Sequence, residues 1–325
     1  MRVLVLGAGS FGTSLACVLA SNGIAVDLWC RSDERAADVA RGRHSLLSDL
    51  TLPAEIAPVR TGALGSNYGF AISAVPTQHL AAVLDAQQSQ LPTSIPWVSA
   101  SKGIEIGTSR LPSGILRDAG IGDVAVLSGP SHAEEVVRGV PTAVVLGHGG
   151  SAKEGQWLQE NLSGESFRVY LNSDVVGVEL GGALKNVIAL GAGIAIGIGF
   201  GDNTVAALVT RGAVELARLG EALGGKSRTF SGLSGIGDLV VTCCSEHSRN
   251  RSLGVRIGAG EEPRQALSGL PHVVEGVYTS KAVVDLGQRV AVEMPIAEEV
   301  YKILHEGKPV DQGIRELLGR SLKEE

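Results

Sequence analysis

Cysteine is scarce: four occur in 325 residues, Cys17, Cys30, Cys243 and Cys244, with no metal-ligand spacing among them. A disulfide between the adjacent Cys243 and Cys244 would be strained, so reduced, buried thiols and no metal site are expected. Positive charge is not in excess either, since 28 lysines and arginines face 34 aspartates and glutamates for a formal net charge of -6. That balance lacks the broad basic footprint of a nucleic-acid binder, although a few local arginines still suffice to hold one phosphate group. The longest uncharged apolar stretch, Val187 to Gly201, is too short to span a bilayer comfortably and carries five glycines. It reads as a buried helix and its exit loop. A signal-peptide pattern is missing, because Arg2 is followed by only four apolar residues before a glycine turn. The expectation is a cytoplasmic protein with no membrane insertion. Internal repeats and low-complexity tracts are also missing, and the charged end Ser321 to Glu325 reads as a frayed terminus.

What the chain does contain is 44% hydrophobic residues over a length that allows a large core and two domains. Its most informative stretch is Gly7-Ala8-Gly9-Ser10-Phe11-Gly12, placed between the apolar run Val3 to Leu6 and the helical pattern Thr13 to Ala20. In a strand-turn-helix of this kind Gly7 allows the turn, Gly9 lets a pyrophosphate approach the backbone, and Gly12 lets the helix pack on the strand. A dinucleotide site follows; the alternative is a glycine turn with a structural role only.

Short apolar segments recur at Ala25 to Trp29, Gly69 to Ala74, Trp97 to Ala100, Val124 to Leu127 and Thr142 to Leu146. Their alternation with helical or loop segments predicts a parallel, doubly wound α/β sheet of Rossmann type. Residues 41–61, with two prolines and mixed polarity, read as a loop with no chemistry. Beyond Asp174 helical patterns take over at Val175 to Ile198, Asn203 to Leu223, His247 to Gly258, Gly276 to Leu286 and Pro295 to His305. We therefore expect a dinucleotide domain over 1–172 and an all-α substrate and catalytic domain over 173–325, with substrate meeting cofactor in the cleft.

Within the first long helix, Lys185 has Gly181, Gly182, Ile188 and Ala189 as its neighbours three and four positions away. An ammonium so surrounded is desolvated, which suits it to proton transfer, and replacing it by alanine should spare the fold. The alternative is a lysine that reaches the surface from a buried helix. Glycines are dense from Gly232 to Gly237 and bring backbone close to some partner, after which Asp238 could orient a lysine or a hydroxyl. Ser248, Arg249 and Asn250 offer a hydroxyl, a charged fork and an amide suited to a phosphate monoester. A helix N-cap at Ser248 with solvated arginines beyond it explains the same residues. In the first half, Ala74 to Gln78, Ser101 to Glu105 and Leu127 to Ser131 follow strand ends and point to one crevice. Lys102, Gly129 and Ser131 are thus candidates for holding substrate; ordinary turn chemistry is the alternative.

The segments GAGSFGTSLA, AVPTQ, SKGIE, LSGPSHAEEV, ELGGALKNVIALGAGI, GLSGIGDLVVTC, SRNRSLG and VVEGVYT occur in an order and over a span that closely resemble bacterial-type NAD(P)-dependent glycerol-3-phosphate dehydrogenases. The resemblance implies reversible reduction of dihydroxyacetone phosphate to sn-glycerol 3-phosphate, the backbone of glycerophospholipids, by a homodimer. It also implies Lys185 as general acid/base, with Lys102, Gly129, Ser131, Asp238, Ser248, Arg249 and Asn250 around the substrate. Ser10, Phe11, Arg31, Lys102, Ala133, Arg249, Val273 and Glu275 match cofactor positions. Two departures concern the nicotinamide loop: His132 stands where the family more often has an apolar aromatic, and residues 43–53 keep only Leu52-Pro53 of an Asn-x-x-Tyr-Leu-Pro pattern.

Cofactor choice is read after the second strand. A carboxylate that binds both ribose hydroxyls is expected about twenty residues beyond the last glycine. Counting from Gly12 gives Ser32, preceded by Cys30 and Arg31. Asp33 falls in the first turn of the next helix, where the helix dipole favours it, so Arg31 is expected to pair with a 2′-phosphate and NADPH to be preferred over NADH. A two-domain 2-hydroxy or 3-hydroxy acid dehydrogenase, or a redox sensor that binds NADPH without turning it over, would share the glycine fingerprint.

Overall fold

The computed structural model describes residues 1–47, 50–65, 67–270 and 273–319. The chain divides into two compact units, the first comprising 1–102 and 110–179, the second 103–109 and 180–325. The charged tail from Ser321 lies outside the described residues, as do Ser48 and Asp49 of the segment read as a silent loop.

The first unit carries β1 (Arg2–Leu6), α1 (Ser10–Ser21), β2 (Ala25–Trp29), α2 (Asp33–Ala40), β3 (Ile56–Val59), β4 (Phe70–Ser73) and α3 (Thr77–Gln87). It continues with β5 (Trp97–Ser99), α4 (Pro112–Asp118), β6 (Val124–Ser128), α5 (Ala133–Val136), β7 (Thr142–Gly147), α6 (Ala152–Leu162) and β8 (Phe167–Asn172). These strands form one sheet in the order β3-β2-β1-β4-β5-β6-β7-β8, so the strand order reverses between β1 and β4. Side chains of β1 alternate between faces: Val3 and Val5 join one apolar core, Leu4 and Leu6 the other. A strand buried on both faces has to be a continuous apolar run, and β1 is one.

Two expectations are corrected. The sheet is not wholly parallel, because β6 and β7 pair antiparallel. Between them α5 supplies only one turn, about 6 Å of rise against about 17 Å for a five-residue strand, so the chain turns back instead of crossing over. The 11-residue α6 then carries β7 to a parallel β8. The segment 41–61 is not all loop, since it contains β3, which pairs parallel with β2 at the sheet edge. An edge strand tolerates Pro58, which would interrupt a ladder if paired on both sides.

A buried carboxyl anchors α4. Glu179 accepts hydrogen bonds from the Ser113 N–H at 2.7 Å and the Ser113 hydroxyl at 2.5 Å, satisfying donors in the helix's first turn. Burial is the main cause that raises its pKa from 4.5 to about 6, against the pull of Ser113 and Arg117. Between those values the folded state binds more protons than the unfolded chain, so this group's stabilisation is present below 4.5 and is lost as pH rises through about 6. The unfolding free energy of wild type minus that of Glu179→Gln should therefore fall by about 2 kcal/mol across that interval. Denaturant titrations at several pH values measure it, and a flat difference would refute a raised carboxyl.

The helix α7 (Val175–Ile198) contains the boundary between the units, at Glu179 and Leu180. It is long and apolar enough to cross a membrane, but 78% of its apolar window is buried, as a core helix requires. Beyond α7 the elements described in the second unit are helices: α8 (Asp202–Ala222), α9 (Ser227–Phe230), a π turn at Leu233–Gly237, α10 (Asp238–Cys244), α11 (Arg249–Gly258), α12 (Pro263–Ser268), α13 (Glu275–Arg289), α14 (Pro295–His305) and α15 (Val310–Leu318). Glycines let α7 and α11 touch backbone to backbone. A Cβ on Gly193 would lie 2.2 Å from the Arg251 carbonyl oxygen, and one on Gly254 would lie 2.3 Å from that of Leu190. All four cysteines are free thiols. The strongly buried Cys243 has its pKa pushed up to about 12, chiefly by desolvation.

Candidate active site

The glycine turn is shaped by close approaches at two of its three glycines. At Gly7, φ is +123° and a Cβ would lie 2.9 Å from the Ala74 carbonyl oxygen. At Gly12 a Cβ would lie 2.0 Å from the Gly7 carbonyl oxygen, so a side chain there would push α1 off the strand. Gly9 is different: a Cβ there would meet nothing within 4 Å. Open space thus lies before α1, whose first turn, Ser10-Phe11-Gly12, has no capping side chain. Backbone donors facing open space fit a dinucleotide pyrophosphate.

Beneath this turn sits a residue the sequence reading passed over. His44 is 2% exposed, its Nε2 lies 3.2 Å from the Ala8 carbonyl oxygen, and the Leu46 N–H donates to its Nδ1 at 3.3 Å. Those two bonds select the neutral ring protonated at Nε2, and burial, the largest influence, lowers the pKa in the same sense. Only tertiary structure reveals the link, because His44 lies 36 residues from Ala8.

The ends of β4, β5 and β6 are knitted together. The Ser101 hydroxyl donates to the Val75 carbonyl at 2.6 Å, the Thr77 hydroxyl to that of Lys102 at 3.1 Å, and the Lys102 ammonium to that of Gly129 at 3.1 Å. The Ser131 hydroxyl also donates to Gly129, at 2.9 Å, and Lys102 Nζ stands 5.7 Å from the Phe11 ring centroid. Phe11, Lys102, Gly129 and Ser131, predicted separately, therefore share one place outside the carboxyl ends of the strands. Ala133 opens α5, which packs against α1.

In the second unit Lys185 is 7% exposed and Asp238 1%, and the ammonium donates directly to the Asp238 carboxylate. The burial of Lys185 agrees with a desolvated ammonium and not with a lysine that reaches the surface, while the Asp238 counter-charge favours the ammonium and opposes the effect of desolvation. Asp238 is placed there by the π turn, and a Cβ on Gly181 would lie 2.4 Å from the Ser234 carbonyl oxygen, so the dense glycines bring the turn's backbone against α7.

Next to Lys185 on α7, Asn186 accepts from the Asn250 amide at 2.9 Å, and Asn250 accepts from the Gly276 N–H at 2.9 Å. The side chain of Asn250 thus ties α7, α11 and α13 together. Ser248 is the N-cap of α11 and accepts from the Arg251 N–H at 3.2 Å. The capping role considered for it is real, and its hydroxyl proton remains available for donation. Arg249 is exposed and donates to the Val273 carbonyl at 3.1 Å, just before Glu275 opens α13. Three residues matched to cofactor positions, Arg249, Val273 and Glu275, consequently cluster within this unit.

At the end of β2, Arg31 is exposed and Ser32 caps α2, whose first turn holds Asp33, as predicted. Among the described residues there is no group of three or more His, Cys, Asp or Glu side chains that could hold a metal ion.

Two family models match the chain, the N-terminus of NAD-dependent glycerol-3-phosphate dehydrogenase over residues 2–153 and its C-terminus over 174–315. A protein of Moorella thermoacetica named glycerol-3-phosphate dehydrogenase [NAD(P)+] is 44% identical over 321 residues, covering 98% of this chain and 96% of the relative. One of the same name from Pelodictyon phaeoclathratiforme is 46% identical over 334 residues, covering 100% and 99%. The crystal structure of glycerol-3-phosphate dehydrogenase from Coxiella burnetii superposes with a TM-score of 0.91 at 35% identity, covering 98% of this chain and 99% of that one. With the glycine turn, the Lys185–Asp238 pair and the Asn186–Asn250 tie in place, the chain belongs to the NAD-dependent glycerol-3-phosphate dehydrogenase family.

Proposed function

We propose that this protein reversibly reduces dihydroxyacetone phosphate to sn-glycerol 3-phosphate with NAD(P)H, NADPH being preferred, and that Lys185 is its general acid/base. The buried Lys185–Asp238 pair carries the reading. A nicotinamide, when bound, supplies or accepts the hydride at C2 of the substrate. Gly7, Gly9, Ser10, Phe11 and Gly12 hold the dinucleotide, and domain 1–172 serves it as domain 173–325 serves substrate and catalysis. In the reducing direction Lys185 Nζ gives its proton to the oxygen that becomes the C2 hydroxyl; in the oxidising direction the neutral amine takes it back. Asp238 fixes the ammonium in place and stabilises its charged form. Arg249 and Asn250 bind the phosphate, with the Ser248 hydroxyl as a further donor, so a group remote from the reacting carbon orients the ketone. Lys102, Gly129 and Ser131 complete the substrate contacts, and Arg31, Ala133, Val273 and Glu275 those of the cofactor.

The deciding assay is loss of reduced-nicotinamide absorbance on adding dihydroxyacetone phosphate, run with NADPH and with NADH and against simple keto acids. Turnover of keto acids alone would replace this reading by that of a hydroxy acid dehydrogenase. Cofactor binding without substrate-dependent oxidation would indicate a sensor. Replacing Arg31 by Asp should erase or reverse the NADPH preference, mainly through the Michaelis constant for cofactor. Equal cofactor kinetics in wild type and variant would mean that Arg31 faces solvent only. A cytoplasmic homodimer is the further expectation from the family, and sedimentation equilibrium tests its stoichiometry.

A further inference from the structure

We propose that Arg60, which follows β3, is a specificity-determining residue for the cofactor and acts by taking Asp33 out of competition for the ribose. The inference rests on the NADPH preference argued above and adds the residue that enforces it. Asp33 is the carboxylate nearest the position at which an NAD-specific site reads the ribose hydroxyls, and left alone it would repel a 2′-phosphate. It is not alone. Arg60 Nε meets the Asp33 carboxylate at 2.8 Å, and Arg60 Nη1 donates to the Cys30 carbonyl at 2.7 Å. The backbone of Cys30 is held from its other side as well, since its N–H donates to the Val59 carbonyl at 2.9 Å. The guanidinium is thus fixed at the carboxyl end of β2 by the strand pairing itself, with one edge on the backbone and one nitrogen on Asp33.

Two more cations surround this place. Arg31 is exposed beside Cys30, and Arg35, in the first turn of α2, has a buried Nη1 with no hydrogen-bond partner among the described residues. Arg31, Arg35 and Arg60 thus outnumber the carboxylates Asp33 and Glu34 around the end of β2, a balance that favours a dianion. Energetics point to selectivity as the use of the Arg60 contact. Asp33 is 93% exposed in its pair, and exposed ion pairs add little to stability. Arg60→Met should accordingly fold.

Equilibrium titrations of the intact protein with NADPH, NADH, adenosine 2′,5′-bisphosphate and 5′-AMP test the inference without recourse to turnover. Arg60→Met should weaken NADPH and the bisphosphate roughly tenfold to a hundredfold, through lost charge and a released Asp33, while NADH and 5′-AMP hold or tighten. Adding Asp33→Asn to Arg60→Met should restore part of the NADPH affinity. Asp33→Asn alone should leave the NADPH to NADH affinity ratio within about threefold of wild type, because a carboxylate already neutralised by Arg60 has little repulsion left to remove. An unchanged ratio in Arg60→Met, no restoration in the double variant, or a rise of about tenfold in Asp33→Asn alone would each overturn the role of Arg60. A wild-type protein that does not favour the 2′-phosphorylated ligands would instead overturn the parent reading, and Arg31→Asp, titrated alongside, separates that failure from one confined to Arg60.

Discussion

Lys185→Ala should lower turnover by about two to four orders of magnitude, the usual contribution of a positioned acid or base. From the sequence alone that variant is expected to fold as well as wild type. The structure changes the expectation, because removing the ammonium takes the Lys185 counter-charge away from a carboxylate, that of Asp238, at 1% exposure. Breaking one partner out of a buried pair costs about 3–5 kcal/mol, so a lower melting temperature should accompany the lost activity. Chemistry and folding then have to be separated. Adding Asp238→Asn to Lys185→Ala removes the buried charge and should recover much of the stability while leaving turnover low. Recovery of turnover together with stability would mean that Lys185 acts through the fold, and so would a single variant that keeps more than about a tenth of wild-type turnover.

The sequence reading succeeds where the signal is local. The run from β1 through the glycine turn to α1, and helices α7 and α14 to their end residues, follow from apolar periodicity and breakers within one short window. It fails where the deciding partner is distant or the element short. In β3, Pro58 and a half-exposed pattern disguise an edge strand, whereas β8 carries a period-two alternation at Phe167, Arg168, Val169 and Tyr170 that was there to be read. The π turn is hidden by glycines that otherwise read as loop, and α10, α12 and α15 are short. The sequence offers Asp238 as a group to orient a lysine but does not pair the two, because Lys185 lies 53 residues away, and Asn186 lies 64 residues from Asn250. Both contacts depend on how closely α7 lets the second unit's other backbone segments approach, which in turn depends on glycines spread over four segments of sequence. Arg60 carries no local signal for the same reason: Cys30 and Asp33 become its neighbours only when β3 pairs with β2.

Arg249→Ala should raise the Michaelis constant for dihydroxyacetone phosphate by about one to two orders of magnitude, since a hydrogen bond to a charged group contributes roughly 1.5–3 kcal/mol. The geometry makes this residue a better test than Asn250. Asn250 is 8% exposed and spends its carbonyl oxygen on Gly276 and an amide proton on Asn186, so truncating it would disturb three helices along with any phosphate contact. Arg249 is exposed and commits Nη1 to a single carbonyl, that of Val273, which holds the fork while leaving its other N–H groups for the ligand. Losing that one contact with Val273 should lower stability by no more than about 1 kcal/mol, so the variant should fold and its kinetics can be read directly. The phosphate assignment also predicts a dissection in parts. With an unphosphorylated glyceraldehyde-type substrate, added inorganic phosphate or phosphite should raise the rate of the wild-type enzyme by filling the vacant phosphate position, and should do little for Arg249→Ala. An unchanged Michaelis constant for dihydroxyacetone phosphate, or equal activation of both proteins by phosphite, would place the phosphate elsewhere and leave Arg249 as a brace for the start of α13.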